Sequence, residues 1–119
     1  IQFAVEVLKV KHIMVVGHYG CGGIKAAMDG QEHGLIDNWL GHIKDVYRFH
    51  QQAIDAETDE KRKFDLLCEL NVVEQVANVC QTSIVQNAWK AGQELQVHGW
   101  VYGINNGLIK DLDVSVSGL

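Results

Sequence analysis

The sequence contains no proline, so its turns fall to glycine, which occurs 12 times in 119 residues. It has no block of basic residues, and its net charge of −5 argues against non-specific binding to nucleic acid. No apolar run approaches the length of a membrane span. No signal peptide is visible either, because Ile1 to Leu8 carries no basic head and reads as an amphipathic helix. Cysteine is scarce: three residues at uneven spacing fit a reducing compartment better than a disulfide framework. The cytoplasm is the expected location. The opening Ile1 lacks both a Met and a helix cap, as expected of a piece of something longer, and Ser117-Gly118-Leu119 reads as a clipped end.

The composition that remains, 47% hydrophobic and 21% charged, suits one domain with its own core. Its organising stretch is His12-Ile13-Met14-Val15-Val16-Gly17-His18-Tyr19-Gly20-Cys21-Gly22-Gly23. Ile13 to Val16 is a short apolar run bounded by glycine, expected as a strand buried on both faces. Gly17, Gly20, Gly22 and Gly23 allow a tight turn and close approach to a ligand, and Ile24 to Met28 begins a helix. His18 and Cys21 thus fall at the carboxyl end of a strand, where open α/β sheets place their ligand sites. Imidazole nitrogen and thiolate sulfur are both zinc donors. On spacing alone, one His and one Cys in a loop also fit a chain that binds no metal.

Helical spacing of Ile1, Val5 and Leu8 predicts a helix to about residue 9, and a short helix after the glycine turn stops around Asp29-Gly30. Leu35, Ile36, Trp39, Leu40, Ile43, Val46 and Tyr47 predict a long amphipathic helix to about Gln52, with Trp39 in the core and His42 and His50 at the surface. Asp55 to Asp59 is a polar link, and Thr58 or Asp59 can cap a helix running to about Cys80. Its apolar stripe is read as Phe64, Leu67, Leu70 and Val73, with Leu66 and Val76, and Cys68 and Cys80 as small buried hydrophobes. Thr82 or Ser83 can cap a helix from Ile84 to Ala91, closed by Gly92. Leu95 to Tyr102 alternates as a strand, Asn105-Asn106-Gly107 signals a hairpin, and Leu108 to Val116 alternates again. The fold class is therefore α/β, a mostly parallel sheet with flanking helices and an antiparallel edge strand.

Gly-His-Tyr-Gly-Cys-Gly-Gly at 17–23, followed by Ile-Lys-Ala-Ala, resembles the zinc-binding segment of the β-class carbonic anhydrases. The resemblance continues through Gly34 to Leu40, Glu69 to Val76 and His98 to Gly103, in order along nearly the whole chain. It implies a Zn2+ cofactor, with His18 and Cys21 matching the family's histidine and second cysteine. It implies carbon dioxide and bicarbonate as substrate and product, since zinc lowers the pKa of its bound water and makes hydroxide available for attack on CO2. The Gly22 and Gly23 backbone would lie beside the substrate, where side chains would obstruct it. Some bacterial members bind bicarbonate at a second, inhibitory site through a tyrosine in the segment that Tyr102 matches, although a tyrosine packed at a strand end explains Tyr102 equally well. A homodimer or homotetramer is implied as well.

One family motif is missing. The other cysteine ligand belongs to an upstream Cys-x-Asp-x-Arg, and none of Cys21, Cys68 or Cys80 is followed by that pattern. Residues 1–119 are accordingly expected to be a partial domain, with two protein ligands where a catalytic zinc has three. A non-catalytic oligomerisation or interaction module is the alternative. A phosphate-binding loop lacks the Lys-Ser or Lys-Thr it would need, while a relative that hydrolyses carbon disulfide would keep the same ligands.

Overall fold

A computed structural model describes residues 1–119. A π-helical turn, Phe3–Val7, leads into strand β1, His12–His18. Helices α1 (Gly22–Met28), α2 (Ile36–Phe49), α3 (Gln51–Asp55), α4 (Glu60–Cys80) and α5 (Ser83–Lys90) follow, then strands β2 (Gln96–Gly103) and β3 (Leu108–Asp111). The sheet order is β1-β2-β3. β1 runs parallel to β2, with His12 opposite Gln96 and His18 opposite Tyr102, and β3 returns antiparallel, with Trp100 opposite Asp111. The expected α/β architecture, with its antiparallel edge strand, is present.

Local chemistry accounts for the element ends. The Asp59 side chain accepts from the Lys61 amide and starts α4, while the Thr82 hydroxyl accepts from the Val85 amide and starts α5. Gly92, at φ +78°, follows α5, and Gly107, at φ +69°, completes the hairpin. The core lies between the helices and one face of the sheet: Leu40, Ile43 and Val46 of α2, Leu67, Val72 and Val76 of α4, and Val97 and Val101 of β2 are buried.

Several expectations need correction. β1 is not buried on both faces: Met14 and Val16 are 49% and 51% exposed, because the helices cover only one side. Trp39 is not core but 61% exposed, one position off the Leu40–Ile43–Val46 stripe. α4 buries Leu67, Cys68, Val72, Val76 and Cys80, whereas Phe64, Leu70 and Val73 are only half-buried. The four-residue row faces the sheet, and a helix with apolar side chains on most sides does not announce which row that is. The last strand breaks early, since the Asp111 carboxylate accepts from the Asp113 amide at 2.9 Å and Asp113 turns to φ +58°. Val116 then rejoins the sheet opposite Val97.

The long helix also breaks into α2 and α3 at His50, whose φ and ψ of −115° and 19° leave the helical region. His42 is exposed as expected, and His50 is half-buried beside the Glu74 carboxylate at 3.4 Å. Cys68 and Cys80 are buried, also as expected.

Candidate metal centre

The strand-to-helix turn after β1 is built by close approach. At Gly17 an added Cβ would lie 2.7 Å from Val72 Cγ2, so α4 can press against β1 only because no side chain intervenes. The Tyr19 amide donates to the Tyr102 carbonyl at 3.1 Å, carrying the β1–β2 pairing one residue past His18. Gly20, at φ +72°, then reverses the chain, and Cys21 takes extended backbone angles just before α1. The turn thereby brings His18, which is exposed, and Cys21, which is half-buried, to one end of the sheet.

The His18 ring and the backbone of the turn have neighbours that constrain them. Nδ1 of His18 lies 3.0 Å from the Tyr19 carbonyl oxygen, which can only accept, so Nδ1 carries the hydrogen and Nε2 keeps its lone pair. A second ring nitrogen tied to backbone is the usual support of a metal-ligating imidazole. The Cys68 thiol donates to the His18 carbonyl at 3.0 Å from beneath. Burial, followed by the nearby Cys21, pushes the Cys68 thiol up to about 11, so it remains a protonated donor at neutral pH. The Tyr19 hydroxyl donates to Glu69 at 2.5 Å, and Lys110 reaches the same carboxylate at 3.1 Å. Burial and that carboxylate raise the tyrosine pKa, so the turn is fastened to α4 by a phenol that stays protonated.

Of the remaining candidates, Tyr102 lies near the end of β2 across from His18, is 39% exposed, and has no hydrogen-bond partner for its hydroxyl within the chain. A Cβ at Gly22 would meet nothing within 4 Å, and one at Gly23 would only touch Trp39, Cys21 and Leu40 at 3.5–3.8 Å. The chain's own packing therefore requires glycine at neither position. No third His, Cys, Asp or Glu joins His18 and Cys21 in a ligand cluster. The two donors fit zinc by type, with a free imidazole nitrogen and a thiol on a fixed turn, and together they would fill part of a coordination shell. Cys68 and the Tyr19–Glu69 pair were not foreseen from sequence: each contact spans fifty residues, and only the three-dimensional pairing of β1 with α4 reveals it.

The imidazole and the thiol lie on the turn at one strand's carboxyl end, where open α/β sheets place their ligand sites. The chain belongs to the carbonic anhydrase family, in its β class: a family model described as carbonic anhydrase matches residues 1–109. It is 44% identical over its whole length to a carbonic anhydrase of Emericella nidulans, covering 52% of that protein, and 33% identical to one of Candida albicans, covering 41% of it. Among solved structures, the Coccomyxa β-carbonic anhydrase in complex with acetazolamide matches with a TM-score of 0.90 and 38% identity, over 98% of this chain and 53% of that one. A tetrameric β-carbonic anhydrase of Sordaria macrospora gives 0.89 and 37%, over 98% of this chain and 59% of that one. The chain spans about half the length of these curated relatives.

Proposed function

We propose that the full-length protein catalyses the reversible hydration of carbon dioxide to bicarbonate and a proton, with zinc held in part by His18 and Cys21. The observation that carries this reading is the His18 ring: its Nδ1–H is tied to the Tyr19 carbonyl and its Nε2 is free, three residues before Cys21. When bound, zinc supplies a water acidified towards neutrality. The chain's own part is to hold the two donors. Gly20 turns the backbone between them, the Cys68 thiol holds the His18 carbonyl, and Tyr19 anchors the turn to Glu69. Gly22 and Gly23 then present backbone beside the donors, where carbon dioxide would approach.

The half-length coverage of the relatives supports reading residues 1–119 as a portion of the catalytic domain, with the remaining protein ligand supplied from outside it. The tetrameric Sordaria relative supports a homodimer or homotetramer. Tyr102, with its unpaired hydroxyl at the strand end, is the group in this chain that a regulatory bicarbonate would meet. No helix is long and apolar enough to cross a membrane. The three free cysteines suit a reducing compartment and support a cytoplasmic location. No observation favours a purely non-catalytic module.

The test is carbon dioxide hydration by the full-length protein and by its His18→Ala and Cys21→Ser variants, with carbon disulfide hydrolysis assayed in parallel. Activity on carbon dioxide lost together with zinc in both variants is the expected result. Full activity in either variant contradicts the assignment of ligands, and turnover of carbon disulfide alone contradicts the substrate.

A further inference from the structure

A second set of metal-ligating side chains lies on the outer face of the sheet. His12 opens β1, six residues before His18, which along an extended strand is roughly 20 Å away. His98 lies on the same face of β2, opposite Met14, so the two rings meet on a diagonal. Nδ1 of His12 is 3.0 Å from Nε2 of His98, and the rings stack with centroids 5.3 Å apart and 28° between planes. On its other side, Nδ1 of His98 is 2.7 Å from the Ser115 hydroxyl, and the ring also stacks on Trp100 at 5.9 Å. His12 and Ser115 are exposed, and His98 is half-buried.

Two ring nitrogens approach to 3.0 Å when one carries a hydrogen and the other a lone pair. With the Ser115 hydroxyl accepting from Nδ1–H of His98, Nε2 of His98 is bare and Nδ1–H of His12 donates to it. A cation set to one side of that hydrogen-bond line would meet both nitrogens once each ring swings its lone pair about 45° off the line.

We propose that His12 and His98 form a bidentate site for a divalent transition-metal ion of the nickel(II) or copper(II) type, oriented by Ser115 and separate from the His18–Cys21 turn. Imidazole suits these ions. With metal–nitrogen bonds of about 2.0–2.1 Å, the observed separation subtends about 90° at the ion, whereas a tetrahedral site needs about 3.3 Å between nitrogens. Ninety degrees is the angle between neighbouring positions of a square-planar or octahedral shell. Binding moves the His12 hydrogen from Nδ1 to the outward Nε2, so one neutral tautomer replaces another and no net proton is released. The Ser115 hydroxyl, bonded to the far nitrogen of His98, is the outer contact that fixes that ring. Water completes the shell from the open side of the sheet.

The experiment is calorimetric titration of the zinc-loaded full-length protein with nickel chloride, with zinc content measured in parallel. One nickel per chain is expected. His12→Gln and His98→Gln should each weaken it at least about tenfold, and Ser115→Ala by about tenfold or somewhat less, as for loss of an outer-shell partner. Zinc content should stay at the parental value in His12→Gln, a substitution at an exposed position. Absence of nickel binding by the parent, or binding unchanged in both histidine variants, overturns the proposal. Loss of zinc along with nickel in His12→Gln overturns the separation of the two sites.

Discussion

Substituting Gly17 by Ala tests how the turn that carries His18 and Cys21 is held against α4. The added Cβ would lie 2.7 Å from Val72 Cγ2 and 3.5 Å from Cys68 Sγ, so the strand or the helix must give by roughly 0.7 Å to restore an ordinary contact. Overpacking of this kind costs about 1–3 kcal/mol, and the lower entropy of the unfolded alanine chain offsets up to about 1 kcal/mol of it. The net expectation is destabilisation by about 1–2 kcal/mol. Val72→Ala alone removes two buried methyl-sized groups, worth about 2 kcal/mol. Because the two changes relieve one clash, Gly17→Ala/Val72→Ala should be more stable than the sum of the single effects by about 1 kcal/mol. The assay is urea unfolding of all four full-length proteins at one protomer concentration, comparing midpoints at constant slope. Zinc retention should fall in Gly17→Ala and recover in the double variant, since pushing β1 off α4 also pulls the His18 carbonyl from Cys68. A parental midpoint for Gly17→Ala, or strict additivity, would refute the close-approach account.

Alkaline stability should report Cys68. Its thiol is raised by burial, and then by Cys21, to about 11 against an ordinary 9.0, so the native state holds a proton that the unfolded state loses first. The associated stability, at most about 2–3 kcal/mol, is fully present below pH 9 and lost as pH rises towards 11. Unfolding midpoints measured from pH 8 to 11 should show this slope, and Cys68→Ala should flatten it; an equal slope in the variant rules it out. Tyr19→Phe removes the hydroxyl bonded to Glu69 and should lower stability by about 1–2 kcal/mol, a charge-assisted bond on a half-buried group. It should also weaken zinc retention, measured as chelator-induced loss rate, and an unchanged rate would show that the anchor does not support the proposed zinc site.

Much of the architecture was legible because local chemistry and pattern agree. Asp59 and Thr82 cap where their side chains reach an open amide, Asn105-Asn106-Gly107 turns where a hairpin needs it, and β2 alternates between buried and open positions as its sequence does. Faces were harder. Ile13 to Val16 is apolar on both parities, and nothing within the run states that helices cover only one side of β1. Trp39 sits beside the buried stripe of α2, where a rotation of one residue decides between core and surface. α4 carries apolar side chains on most of its circumference, so its i,i+4 row became identifiable only once the sheet was in place. His18 and Cys21 stood out as candidates from the glycine turn and the family resemblance. Their supports, Cys68 and Glu69, lie fifty residues away from the atoms they bond, and no periodicity links them to the turn.

The central claim is that His18 and Cys21 hold a zinc ion in a β-class carbonic anhydrase. Native mass spectrometry of the full-length protein, alongside His18→Ala and Cys21→Ser, addresses it most directly, because one spectrum gives chain mass, metal per chain and assembly. One zinc per chain in a dimer or tetramer of the parent, and none in either variant, is the predicted result. A parent without zinc, or variants that retain it in full, would contradict the account.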